Sequence, residues 1–196
     1  MNRHFILSIA LLGASLGAAA QTAATTVQRD VNQQERIEQG LKSGALSTSE
    51  AARLEREQSA ISRQQSRALA DGKLTPAEQA RLNASQNKAS RDIRAAKTNG
   101  VSGNPQSASS QRMQADVQRN INQDKRIEAG VQNGSLTNKE VAKLERGQAR
   151  VQGKEARAGR DGDVSAAEQA RVQRSENRQS RRIRHEKHDA QVRNPA

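Results

Sequence analysis

Apolar residues recur along this chain at helical spacing, and the same pattern occurs twice. Val27, Val31, Ile37 and Leu41 fall within about 120° of one face at about 100° per residue, which predicts a helix over residues 27–41. A second helix is predicted to start near Thr48. It places Leu54, Gln58, Ile61, Gln65 and Ala68 at alternating spacings of four and three, a heptad seam with Gln at two of its five positions. A third begins at Pro76 and repeats the seam with Leu82, Gln86, Ala89, Ile93 and Ala96. Seams this narrow predict helical hairpins or a bundle rather than a wide globular core.

The pattern then returns. Residues 27–97 align without gaps with residues 117–187 at a shift of 90, and 33 of the 71 paired positions are identical. The first stripe reappears as Val117, Ile121, Ile127 and Val131. A duplication of this length fixes the expected architecture: all-α, two homologous three-helix repeats over residues 21–98 and 117–189. Residues 99–116 open with a run rich in Gly, Ser, Asn and Pro and are expected to form a flexible linker, and residues 190–196 a disordered tail.

A shorter motif recurs four times, beginning at Gly44, Gly72, Gly134 and Gly162. Each Gly is followed by Leu or Val, then Ser or Thr, then Glu three residues later. Gly permits the left-handed turn that ends one helix. The hydroxyl caps the next helix, and the Glu reaches back to the cap amide. The predicted boxes are Ser47 with Glu50, Thr75 with Glu78, Thr137 with Glu140, and Ser165 with Glu168. Pro76 at the first helical position has no amide to waste. Each Glu is also expected to pair with the cation three residues on: Arg53, Arg81, Lys143 or Arg171.

Residues 1–20 change the picture of where the protein works. Arg3, the apolar run from Phe5 to Leu12 and Ala18-Ala19-Ala20 read as a secretory signal cleaved near Ala20–Gln21. The run is too short to span a hydrocarbon core of about 30 Å. A periplasmic or secreted protein is therefore expected, with no membrane-spanning segment after processing. The chain has no Cys, and Phe5 is its only aromatic residue, so the processed protein has none. Loss of Arg3 takes the net charge from +12 to +11.

That charge is concentrated. Arg171, Arg174, Arg178 and Arg181 follow helical spacing on one face, and residues 171–193 carry eight Lys or Arg against three acids. The first repeat offers Arg81, Lys88 and Arg91 at equivalent places. Such a stripe can bind phosphates through counterion release, or can serve only to solvate the face. Without aromatic side chains, base stacking is left to Arg or His faces, and sequence-specific recognition of single strands is not expected.

Other chemistry is thin. Asp71 to Glu78 looks like the second half of an EF-hand loop, but Arg67 and Leu69 stand where the leading calcium ligands belong. The Gly162 copy adds Asp161, Asp163 and Glu168 but has Arg157 and Gly159 in the leading places. His185 and His188 are three apart, a spacing that could hold a transition metal or simply complement a helix end. No nucleophile–base pair is present, and the carboxylates are expected to pair with neighbouring cations. An enzyme, a cofactor and a bound metal are not expected.

One family resemblance follows from the helix starts. Leu74-Thr75-Pro76-Ala77-Glu78-Gln79, and more loosely Leu46-Ser47, Leu136-Thr137 and Val164-Ser165, resemble the Leu-Thr-x-x-Gln starts of the Spy/CpxP group of periplasmic stress chaperones. Glu takes the motif's Gln position here, with Gln one residue late at Gln79 and Gln169, and Met113 is the only Met after processing. The resemblance implies an ATP-independent chaperone or envelope-stress adaptor, dimeric, acting on unfolded envelope proteins. The basic stripe implies the alternative: a binder of lipid phosphates, anionic envelope polymers or nucleic acid. Metal buffering through the acidic loops or the His pair is a minor third reading.

Overall fold

The structure, a computed structural model, describes residues 15–189, with side chains described from Ala23. Six helices make up the fold: α1 (Ser15–Ser43), α2 (Thr48–Ala68), α3 (Pro76–Lys97), α4 (Ala108–Gln132), α5 (Asn138–Ala158) and α6 (Ala166–Lys187). No strand occurs among the described residues. The expected signal lies outside the described residues up to residue 14. Its end falls within α1, which begins twelve residues earlier than the apolar stripe predicts. No described helix is long and apolar enough to cross a membrane.

All four capping boxes close. Ser47, Thr75, Thr137 and Ser165 each accept from the amide of the Glu three residues on, and that Glu accepts from the cap amide. Gly44 ends α1 at φ +75°, in the left-handed region that a side chain would strain. The expected pairing of each cap Glu with the following cation does not occur. Arg53 instead lies 3.8 Å from Glu57, Lys143 lies 3.3 Å from Glu186, and Arg81 and Arg171 form no ion pair among the described residues. The cap already holds one carboxylate oxygen of each Glu on the backbone, which turns it away from the helix surface.

The two repeats do not fold side by side. α1 packs along α4 and α2 along α5, so each repeat's principal partner is the other repeat. The pairs are antiparallel. Gly159 at the end of α5 lies against Thr48 and Ala52 at the start of α2, while Asn138 at the start of α5 donates to the Gly72 carbonyl beyond α2, 3.0 Å. Equivalent residues meet at the crossings: Ser59 Oγ donates to the Ala149 carbonyl at 2.7 Å, and Lys125 lies 2.7 Å from Glu35. Positions 59 and 149, like 35 and 125, differ by the repeat shift of 90, so an approximate twofold axis relates the repeats. α3 then covers α1 and α2, and α6 covers α4 and α5.

Both apolar clusters consequently mix the repeats. One joins Val31, Ile37, Leu41, Leu54 and Ile93 to Met113, Val117, Ile121 and Val172. The other joins Ala23, Val27 and Leu69 to Ile127, Val131, Leu136, Leu144 and Ile183. Every stripe and seam residue predicted above is buried. The connection between repeats is shorter than residues 99–116. Ser107 caps α4, which starts at Ala108, and Met113 and Asp116 are buried. Ala, Gln, Arg and Met in that stretch are good helix formers that its small polar neighbours disguise. The connection itself lies on the α1–α2 turn: the Gly103 amide donates to the Gly44 carbonyl at 2.8 Å, and a Cβ on Gly103 would stand 2.3 Å from the Leu46 carbonyl.

Candidate functional site

The basic stripe on α6 does not form one uninterrupted surface; it opens into two clefts. Arg171, Arg174 and Arg178 line the first, about 450 Å³, together with Lys154 and Arg157 from α5. Arg181 lines the second, about 440 Å³, with Arg184, Lys187 and His188 from the end of α6 and Arg126 from α4. The α6 seam fixes this arrangement. Val172, Gln179 and Ile183 are buried against α4 and α5, which leaves the arginines on the outer faces, all exposed. Gln179 Nε2 donates to the Leu144 carbonyl at 2.9 Å and ties α6 to α5. Arg126 donates to the Ser180 carbonyl at 3.2 Å and ties α6 to α4.

The cations in these clefts crowd one another. Burial and then the nearby Arg178, Arg157 and Arg174 push the Lys154 ammonium below its ordinary range. Burial and then Arg184 do the same to the Arg126 guanidinium. Among the described residues, no ion pair involves Arg157, Arg171, Arg174, Arg178, Arg181 or Arg184. Glu168 is the one acid in the first cleft, and a set of cations that outnumbers its acids in this way favours an anion with several negative groups.

The equivalent face of the first repeat is partly offset by acids. Of the expected trio Arg81, Lys88 and Arg91, Lys88 forms an ion pair with Asp92 one turn on and lies near Glu57. Arg182 and Gly147 stand at those two acidic positions in the second repeat. Gln64 replaces Lys154, and Ala84 replaces Arg174. The duplication thus carries a more cationic face on α6 and a less cationic one on α3.

Comparison with protein-family models, curated proteins and solved structures returned no match.

The half-loops offer no ligand set. Asp161 accepts from the Asp163 amide at 3.2 Å, Asp163 accepts from Ser109, and Glu168 is held by its cap. Asp71 accepts from the Lys73 amide at 2.9 Å. His185 and His188 are both exposed at the end of α6, and only His188 reaches a cleft.

Between the two apolar clusters lies a feature that contradicts the expectation of cation-paired carboxylates. Asp30, Glu55, Asp116, Asp124, Glu145, Glu155 and Glu176 are all buried where the repeats meet or where α6 covers them. Among the described residues, Glu176 alone of these forms an ion pair, with Arg119 at 2.7 Å. Amides serve most of the others: Gln34 donates to Glu55 at 3.1 Å, Asn120 to Glu155 at 2.7 Å, Gln148 to Asp124 at 2.5 Å, and Gln65 and Gln86 to Asp30. The charge of Glu55 is among the causes that raise Glu155, after burial. Burial raises Asp30 and Glu55 to about 7 and Asp116 to about 8, and holds Asp124, Glu145 and Glu155 well above the usual carboxylate range. The sequence carried a signal: Gln65 and Gln86 on the first repeat's seams become Glu155 and Glu176 on the second's.

Proposed function

We propose that this protein is a non-enzymatic, exported binder of polyanions, and that α6 with its α4 and α5 neighbours forms the contact surface. The observation that carries this reading is the asymmetry between repeats. Substitutions at equivalent positions remove acids and add cations on one face only, and the resulting charges converge in two clefts in which cations outnumber acids. Retaining them costs like-charge repulsion, which a bound polyanion relieves. Export rests on the pattern of residues 1–20. The chaperone reading calls for an apolar surface that can hold an unfolded chain. Val101, 49% exposed, is the one large apolar side chain exposed among the described residues. The surface therefore supports polyanion binding better than client holding.

The test is the salt dependence of heparin or polyphosphate binding by the processed chain. Each phosphate contact contributes roughly 0.7–0.9 to the slope of log affinity against log salt. Replacing Arg171, Arg174, Arg178 and Arg181 with Gln flattens that slope by roughly three units if all four touch the anion, with helicity retained. An unchanged slope shows the stripe to be only a solvated face.

A further inference from the structure

The arginines of α6 form a row that runs from one cleft to the other. Arg171, Arg174, Arg178, Arg181 and Arg184 are all exposed and follow one another at three or four residues, a rise of about 4.5–6 Å per step. From Arg171 to Arg184 the row advances about 20 Å along α6 and turns about 140° around it, at about 1.5 Å and 100° per residue. It starts on the flank that faces α5, where Lys154 and Arg157 join it, and ends on the flank that faces α4, where Arg126 joins it. The one acid within residues 171–184 is Glu176, which is completely buried and paired with Arg119, so no exposed carboxylate interrupts the row. Glu168 precedes it, with one oxygen held by the Ser165 cap.

Much of this row has no counterpart in the first repeat. Arg36, Arg91, Arg94 and Lys97 do stand at the places of Arg126, Arg181, Arg184 and Lys187. Arg36 donates to the Ser90 carbonyl at 3.1 Å, as Arg126 does to that of Ser180. The cations of the second cleft are thus common to both repeats, and those that join it to the first cleft are not. Ala84 stands at the place of Arg174 and Gln64 at that of Lys154. This leaves Arg81 and Lys88 about 10 Å apart along α3, and Lys88 is paired with Asp92. A small anion needs only the shared cluster. A continuous row adds contacts only for a ligand that reaches both clefts.

We infer that α6 binds a single flexible chain of closely spaced anionic groups, of the inorganic polyphosphate class, laid across the helix from the α5 cleft to the α4 cleft. The assignment rests on the polyanion binding proposed above and adds the form of the ligand. A flexible chain can follow the row as it turns around the helix. A flat anionic bilayer meets one flank of α6 and so one of the two clefts. A duplex presents two lines of phosphate to a single row of cations. Guanidinium groups match phosphate oxygens two at a time, and each contact releases counterions from a densely charged chain. Phe5 is the only aromatic residue of the chain, so no ring on α6 stacks on a base, and the contacts fall on the anionic groups themselves.

Binding of the processed full-length chain to long-chain polyphosphate and to tripolyphosphate, each over a range of salt, tests the row. The slope of log affinity against log salt is expected to be steeper for the long chain by about two units, because tripolyphosphate covers only one cleft. Arg174→Ala introduces the first repeat's residue at an exposed position, and circular dichroism checks that helicity is kept. It is expected to lower the long-chain slope by about one unit and to change tripolyphosphate affinity about twofold at most, since the second cleft is untouched. Equal slopes for the two probes overturn the row as one site while leaving polyanion binding in place. So does a DNA duplex, or vesicles of phosphatidylglycerol, that match the long chain in affinity at the same phosphate concentration. Absence of binding to either polyphosphate and to heparin overturns the polyanion reading itself, and the row with it.

Discussion

At position 155 a glutamate sits where the first repeat has Gln65, and it is completely buried. Burial, then the charges of Glu55, Asp116 and Glu176, hold it well above the usual carboxylate range, so its native form carries a proton. The same holds for Asp30, Glu55 and Asp116, whose values reach about 7 to 8 against about 4 in the unfolded chain. A folded-state value raised above the unfolded one means a contribution complete below about pH 4 and lost as pH rises through about 7 to 8. The melting temperature should therefore fall steadily from pH 5 to pH 8. Between its unfolded and folded values, each group that keeps its proton only in the folded chain contributes about 1.4 kcal/mol per pH unit to the loss. Glu155→Gln supplies the first repeat's neutral residue and should raise stability at pH 8 while flattening this profile; thermal melts at pH 5 and 8 check both. Close approach sets a second residue-level requirement. A Cβ on Gly130 would stand 2.5 Å from the Leu136 side chain, which the Leu136 amide bond to the Gly130 carbonyl holds in place. Gly130→Ala should cost roughly 1–3 kcal/mol through overpacking, measured by urea unfolding.

At the level of the helix, capping chemistry was the most legible part of the chain. Ser, Thr and Glu at fixed offsets act within one turn, so no tertiary information is needed to place them. The seams were legible as spacings but not as partners. Gln58, Gln86 and Gln148 look like weak positions in a hairpin. In the folded protein Gln58 donates to Gln33 at 3.0 Å, Gln86 to the Thr26 carbonyl at 2.9 Å, and Gln148 to Asp124. Their role depends on which helix lies opposite, and periodicity alone does not supply that. The long start of α1 and the early start of α4 are not legible in the sequence, because Ala, Gln and Ser carry little hydrophobic pattern. Thr137→Ala should lower stability by roughly 0.5–2 kcal/mol, the usual worth of an N-cap, seen as a drop in the urea midpoint. Its effect should match that of Ser47→Ala, the equivalent cap, if the two repeats share one cooperative transition.

Across the whole molecule, the duplication reads at first as two independent units, and the structure interlocks them instead. Neither apolar cluster is complete within one repeat. Residues 21–103 alone should therefore either pair with a second copy through the α1 and α2 faces or remain largely unfolded at low concentration. Sedimentation and circular dichroism across a concentration series distinguish a folded monomer from both. The approximate symmetry also bears on function. It gives the protein an internal control, since α3 and α6 share a backbone arrangement and differ in charge. The stripe from Arg171 to Arg181 is legible in the sequence, but its division into two clefts is not, because Lys154, Arg157 and Arg126 come from other helices. The measurement that tests polyanion binding most directly compares two variants of the intact chain on heparin over a range of salt. One carries Arg171→Gln, Arg174→Gln and Arg178→Gln; the other carries Arg81→Gln, Lys88→Gln and Arg91→Gln. Loss of about two units of salt slope in the first, with little change in the second, is the predicted result. Equal losses in both would contradict it, because they would show general attraction to a basic protein and not a site on α6.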